Sequence, residues 1–186
     1  MADSLHVLGI SGSLRAASYN TALLRAAATL MPAEMTFEQF DLAPLPMYNQ
    51  DVNEQGMPDV VQHFRQRIAA ADALLIATPE YNHSIPGVLK NAIDWASRPP
   101  DQPFNNKPVA IMGASPGIFG TARMQKHLRH VCAALNMHVL NKPEVLIGGI
   151  PHKVDEHGTL VDETTIGFLR DQLGALADWT RRLRQA

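Results

Sequence analysis

Short apolar runs alternate along this chain with longer segments in which apolar positions recur every three or four residues. Residues 6–10 (HVLGI) predict a buried strand. A helix follows, with Leu23, Leu24, Ala27, Ala28 and Met31 on one face and Pro32 as its stop. Residues 35–40 predict a second strand, and residues 42–55, with Pro44 and Pro46, a long loop. Pro58 suits the first turn of a helix whose stripe is Val60, Val61, Phe64, Ile68 and Ala71. Residues 73–77 (ALLIA) predict a central strand, residues 86–96 a helix, 109–114 a strand and 121–135 a helix. Residues 139–147 hold a fifth strand region, with an interruption expected at Lys142 and Pro143. Ile166, Leu169, Leu173, Leu176 and Leu183 mark a last helix. Strands that alternate with helices imply parallel βαβ units. Five of them in 186 residues fit an α/β three-layer sandwich with a five-stranded parallel sheet, in one of the two common doubly wound strand orders.

Composition narrows the class. The length predicts a single domain over residues 1–186, with enough chain to bury a core unaided. Lys and Arg number 16 against 18 Asp and Glu, a net charge of −2, which gives no support to a nucleic-acid partner. No apolar stretch approaches the ~20 residues of a membrane span, so no membrane insertion is expected. The N-terminus lacks the basic and apolar regions of a signal peptide, which makes the cytoplasm the expected compartment. The single cysteine, Cys132, lies on a helical apolar stripe and is read as a buried small hydrophobe rather than a reactive thiol. The eight histidines form no metal-ligand spacing; His127 and His130 lie three apart on one helix without a third partner. No metal is expected.

In an open α/β sheet, ligands bind beyond the carboxyl ends of the strands. The loop after the first strand, residues 11–20 (SGSLRAASYN), carries three serines, Arg15 and Asn20 ahead of a helix. Free amides at a helix start, hydroxyls and a guanidinium suit an anion such as a phosphate. On the residues alone Ser18 also serves as a plain helix cap, with Ser11 and Ser13 as turn residues. The pattern is neither GxGxxG nor GxxxxGK[ST], so a dinucleotide turn and an NTP-hydrolysing loop are not expected. The loop after the third strand, residues 78–87 (TPEYNHSIPG), is stiffened by Pro79 and Pro86, and Ser84 is placed to cap the next helix. It offers an aromatic ring, an amide and backbone donors, the mixture a planar heterocycle needs. Trp95, further on, is read as core packing. In the loop after the fourth strand, residues 115–123 (SPGIFGTAR), Gly117 and Gly120 allow close approach to a ligand. Arg123 falls in the first turn of a helix, where a cation opposes the dipole. It points either to an external anion or partner subunit, or to a plain solvated arginine.

Together the loops resemble the signatures of the NADPH-dependent FMN reductase family. Gly12-Ser13-Leu14-Arg15 with Ser18 and Asn20 is similar to that family's FMN-phosphate motif. Residues 79–95 (PEYNHSIPGVLKNAIDW) resemble its second motif, and the likeness extends over nearly the whole chain, including residues 141–144 (NKPE). The NAD(P)H:quinone and chromate reductase branch is the most similar. The resemblance implies a flavodoxin-like fold with one FMN per subunit. It places Ser13, Leu14, Arg15, Ala16, Ala17, Ser18, Tyr19 and Asn20 around the phosphate and ribityl tail. Pro79, Glu80, Tyr81, Asn82 and His83 run along the flavin edge, Ser115 and Gly117 close the pocket, and Arg123 lies near a subunit boundary. Position 83 is often another aromatic in this branch, so His83 alters ring contacts or the preferred acceptor. A homodimer or homotetramer is implied.

The implied reaction takes a hydride from NADPH or NADH to flavin N5, releases the donor and reduces a quinone-like acceptor, chromate, an azo compound or free flavin in a ping-pong cycle. It calls for no catalytic side chain, since the cofactor carries the chemistry. The alternative is a flavodoxin-like electron carrier without a nicotinamide site, against which a net charge of −2 speaks, because carriers dock through strongly charged faces.

Overall fold

In the computed structural model, which describes residues 4–185, every strand pairing is parallel. The elements in chain order are β1 (Leu5–Ser11), α1 (Tyr19–Thr29), β2 (Met35–Phe40), α2 (Gln50–Gln55), α3 (Asp59–Ala70), β3 (Ala73–Ala77), α4 (Gly87–Ala96), β4 (Pro108–Ala114), α5 (Ala122–Ala134), β5 (His138–Val139), β6 (Val145–Ile147) and α6 (Glu163–Arg184). The sheet runs β2-β1-β3-β4-β5, and β6 also pairs with β4. This is the flavodoxin-like order. The fifth strand region is split as expected: His138 and Val139 meet the start of β4, Val145–Ile147 meet its end, and Pro143, with no N–H to donate, lies between.

Strand alternation divides the core in two. Leu8, Ile10, Leu74, Ile76, Val109 and Ile111 face α3, α4 and α5. Val7, Leu75, Ala77, Ala110 and Met112 face α1 and α6. Both faces are covered, which is why β3 and β4 are apolar throughout rather than alternating. Trp95 is fully buried; its indole N–H donates to the Pro46 carbonyl (2.8 Å) and Tyr48 packs edge-on against its ring. Cys132 is likewise fully buried among apolar side chains, and burial pushes its thiol up to about 12, far from reactivity at neutral pH.

Three local expectations are corrected. The 42–55 segment is not all loop: Asn49 caps the short α2 by accepting from Asp51 N–H (2.9 Å). The first helix ends at Thr29, short of Met31, with the Leu30 amide bonded back to Ala26 and Ala27. Ser84 does not cap α4; Pro86 occupies that position and makes no side-chain cap.

Helix α6 shows how capping fixes a long element. Asp162 accepts from the Thr165 hydroxyl (2.6 Å), the Lys153 ammonium (3.0 Å) and the Thr165 amide (2.8 Å). These contacts hold its carboxyl down at about 2. The folded value lies below the unfolded one, so the charged cap stabilises the fold above the ordinary carboxylate range of about 4 and loses its effect as pH falls towards 2. We expect Asp162→Asn to give a shallower fall of the thermal midpoint between about pH 4 and pH 2 than the wild type. Equal slopes in pH-dependent melting would refute the assignment.

Candidate active site

The loops after β1, β3 and β4 converge at the carboxyl ends of their strands, and the small residues there are required by that convergence. A Cβ on Gly12 would sit 2.0 Å from Thr78 Oγ1, and one on Gly113 would sit 2.2 Å from Thr121 Oγ1 and 2.5 Å from the Thr78 carbonyl. Thr78 and Thr121 are completely buried at this junction. Sequence reasoning passed over them, because a threonine just after a strand or just before a helix carries no signal until the facing glycines are seen.

The first loop is pinned below and open above. Ser11 Oγ meets Thr21 Oγ1 at 2.9 Å, and Ser18 accepts from Thr21 N–H at 3.3 Å as the N-cap of α1. Ser13 Oγ accepts from the Arg15 amide, and the Arg15 carbonyl accepts from the Ser18 amide. Ala16, Ala17, Tyr19 and Asn20 N–H groups meet no protein acceptor among the described residues. Leu14, Arg15, Ala16 and Ala17 are exposed, and the Arg15 guanidinium lies 5.1 Å from the Tyr19 ring centre. Arg15 borders two cavities. One of about 730 Å³ also involves Tyr19, Arg25 and His157; the other, of about 210 Å³, involves Ser13, Thr21 and Asp41. Free amides, hydroxyls and a guanidinium at a helix start form a donor set that fits a phosphate group. Asn20 is different: its amide is buried, donating to the Ala114 carbonyl (3.1 Å) and accepting from the Ala114 N–H (2.8 Å), so it ties α1 to the end of β4.

The second loop closes into a tight hairpin. Tyr81 and Ser84 exchange both backbone bonds (3.1 and 3.0 Å), and the residues between, Asn82 (φ 50°) and His83 (φ 63°), are left-handed. Two consecutive positive φ values define a type I′ turn, for which asparagine is well suited. Tyr81, Asn82 and His83 are exposed, and the Asn82 and His83 amides have no protein acceptor among the described residues. Pro79 and Glu80 are only partly exposed. Glu80 does not stand free at the rim: its Oε2 accepts from the Arg123 and Met124 amides, each at 3.0 Å, at the start of α5. This answers the question that Arg123 raised. The carboxylate offsets a cation in a first turn, with Arg123 Nη1 3.7 Å from Glu80 Oε1 and the guanidinium over the Phe119 ring at 4.9 Å.

The third loop is stitched to the segment after β6. The Ser115 amide donates to Ile147 and its hydroxyl to the Gly120 carbonyl (2.7 Å), while the Gly117 carbonyl accepts from Gly149. Ile118 and Phe119 remain exposed, as do Leu14 and Tyr81 on the neighbouring loops. Thirteen of the sixteen residues singled out from the sequence thus lie on three adjoining loops, and Tyr19, Asn20 and Arg123 lie in the first turns of the helices that follow, but Asn20 and Glu80 direct their polar atoms into the protein.

The family model for NADPH-dependent FMN reductases matches residues 5–152, which include every strand and all three loops. The chain belongs to the NADPH-dependent FMN reductase family. It is therefore an oxidoreductase that works with FMN and a nicotinamide donor. An NAD(P)H-dependent FMN reductase of Pseudomonas aeruginosa is 55% identical over 184 residues, covering 99% of this chain and 100% of the relative. A quinone reductase of Escherichia coli is 42% identical over 187 residues, with 99% and 100% covered. Among solved structures, the flavoenzyme FerB, an NAD(P)H:(acceptor) oxidoreductase from Paracoccus denitrificans, superposes with a TM-score of 0.87 at 35% identity, covering 96% of this chain and 98% of FerB.

Proposed function

We propose that this protein is an FMN-dependent NAD(P)H:quinone reductase working by a ping-pong cycle. The observation that carries the proposal is the pairing of two unsatisfied donor sets on one rim: the open start of α1 beside Arg15, and the left-handed hairpin at Asn82 and His83. The first suits a phosphate; the second suits the polar edge of a flat ring. When bound, FMN would supply the two-electron hydride chemistry that links the nicotinamide donor to the acceptor.

The residues of the chain bind, orient and exclude. Ser13, Arg15 and Ser18, with the free amides of residues 16, 17, 19 and 20, would hold the phosphate end; Leu14 lies exposed beside them. The free Asn82 and His83 amides would donate to the polar edge of the ring and so favour its reduced form. Tyr81, Ser115 and Gly117 would help to hold the ring. Leu14, Tyr81, Ile118 and Phe119 are large apolar side chains left exposed, with Ile118 at 84%, and they gain from cover by flavin, by an aromatic acceptor or by a second subunit. Quinone, chromate, azo compounds and free flavin are the proposed acceptors, a homodimer or homotetramer the proposed assembly, and the cytoplasm, where nicotinamide donors are regenerated, the proposed compartment.

The test is direct. The purified protein is expected to be yellow, to bleach when NADPH is added without oxygen, and to recolour with benzoquinone. A yellow protein that neither NADPH nor NADH bleaches would replace this proposal with an electron carrier. A colourless protein that takes up no FMN would end it.

A further inference from the structure

We propose that Glu80 is a positioning residue that, together with Ser84, clamps the Asn82–His83 hairpin onto α5 and so holds the hairpin's free amides ready for the flavin. The second half of this statement rests on the proposed function; the clamp itself does not.

Helix α5 begins without the usual provisions. Its N-cap residue, Thr121, makes no side-chain cap, and its first turn holds no acidic residue and one arginine. Such a start leaves amides unsatisfied and a dipole opposed. Glu80 supplies both missing features from more than 40 positions away: one carboxylate oxygen accepts from the Arg123 and Met124 amides, and the other faces the Arg123 guanidinium. The Glu80 side chain is only 10% exposed, so these bonds are largely shielded from water. A second tether sits one turn further along the same helix face, where Ser84 Oγ meets His127 Nδ1 at 3.1 Å. The two tethers flank the turn, one residue before Tyr81 and one after His83.

An ordinary cap comes from the residues just ahead of its own helix and would leave a distant loop untouched. Here the capping group is two residues from Asn82, so capping α5 and fixing the hairpin are one event. The geometry also explains why a glutamate precedes the tyrosine in this loop without needing contact with the cofactor.

The experiment has two arms. Hydrogen exchange on the FMN-free protein reads the clamp directly: Glu80→Ala is expected to speed exchange at Arg123 and Met124 and at Tyr81 and Ser84, the two hairpin amides with backbone partners, while the amides of β1 and β3 stay at wild-type rates. FMN titration by flavin fluorescence reads the consequence, with binding at least tenfold weaker in Glu80→Ala. Glu80→Gln keeps an oxygen to accept both amides and is expected to recover affinity to within about threefold of wild type, a rescue that charge next to the flavin would not give. Unchanged exchange at Tyr81 and Ser84 in Glu80→Ala, or a Gln variant as impaired as the Ala variant, would overturn the proposal. Should Glu80→Ala fail to fold, Ser84→Ala removes only the exposed tether; faster exchange at the amides of residues 81 and 84 supports the clamp and wild-type exchange there overturns it. A wild-type protein that does not bind FMN refutes the proposed function, and the exchange arm still decides the clamp.

Discussion

Replacing Asn20 with alanine is expected to lower the thermal midpoint by about 5–15 °C. Its carboxamide donates to the Ala114 carbonyl and accepts from the Ala114 amide, and only one orientation of the side chain satisfies both. Truncation leaves a donor and an acceptor buried at the end of β4 without partners, a cost of about 2–4 kcal/mol for the pair. In a domain of this length each kcal/mol moves the midpoint by about 2–4 °C. Differential scanning calorimetry of Asn20→Ala against wild type measures it. FMN affinity should fall as well, because the join between α1 and β4 sets the spacing of the first and third loops. Asn20→Asp discriminates the mechanism: it keeps an acceptor for the Ala114 amide but turns a second oxygen against the Ala114 carbonyl, and should be at least as destabilised as alanine. A stable Asn20→Ala protein that loses only FMN would return Asn20 to the role of a direct cofactor contact.

Asn20 also marks the boundary of what the sequence discloses. Its neighbours in a motif suggested a ligand, yet its partner, Ala114, is 94 positions away. The same holds for Glu80, whose partners lie on a helix that begins 42 positions later. Polar side chains in loops announce that they need partners, but the sequence does not say whether the partner is a cofactor or another loop. The fold was more legible, because both sheet faces are buried and the apolar runs of β3 and β4 leave no other reading. The split of the fifth strand was legible too, from a proline that cannot donate to a ladder. What escaped was local chemistry: an asparagine cap that starts α2 inside a proline-bearing loop, and the lack of a side-chain cap on α4, where Ser84 was expected to provide one. Ser84 was taken up by the hairpin and by His127, an arrangement that needs the left-handed turn at Asn82 and His83 before it can be inferred. Gly12 and Gly113 belong with these, since the threonines they accommodate lie on other strands and loops.

Removing the Arg15 guanidinium is expected to weaken FMN binding roughly 10- to 150-fold, the equivalent of losing charge-assisted hydrogen bonds worth about 1.5–3 kcal/mol. The loop itself should survive the change. Its turn is closed by the backbone of residue 15, whose amide donates to Ser13 and whose carbonyl accepts from Ser18, and neither bond involves the side chain. The guanidinium makes no ion pair among the described residues and rests on the Tyr19 ring, so its truncation strands no buried group. Affinity is therefore the quantity that moves, and melting temperature is not. Riboflavin, which lacks the phosphate, separates causes: Arg15→Ala should bind it as the wild type does. Arg15→Lys should fall between, since an ammonium keeps the charge but not the planar fork that matches a phosphate. Rising salt should narrow the gap between Arg15→Ala and wild type, because Arg15 is exposed and its attraction is screened. If Arg15→Ala binds FMN with wild-type affinity, or loses FMN and riboflavin equally, then the amides at the start of α1 hold the phosphate without help and Arg15 serves the rim of the neighbouring cavity instead.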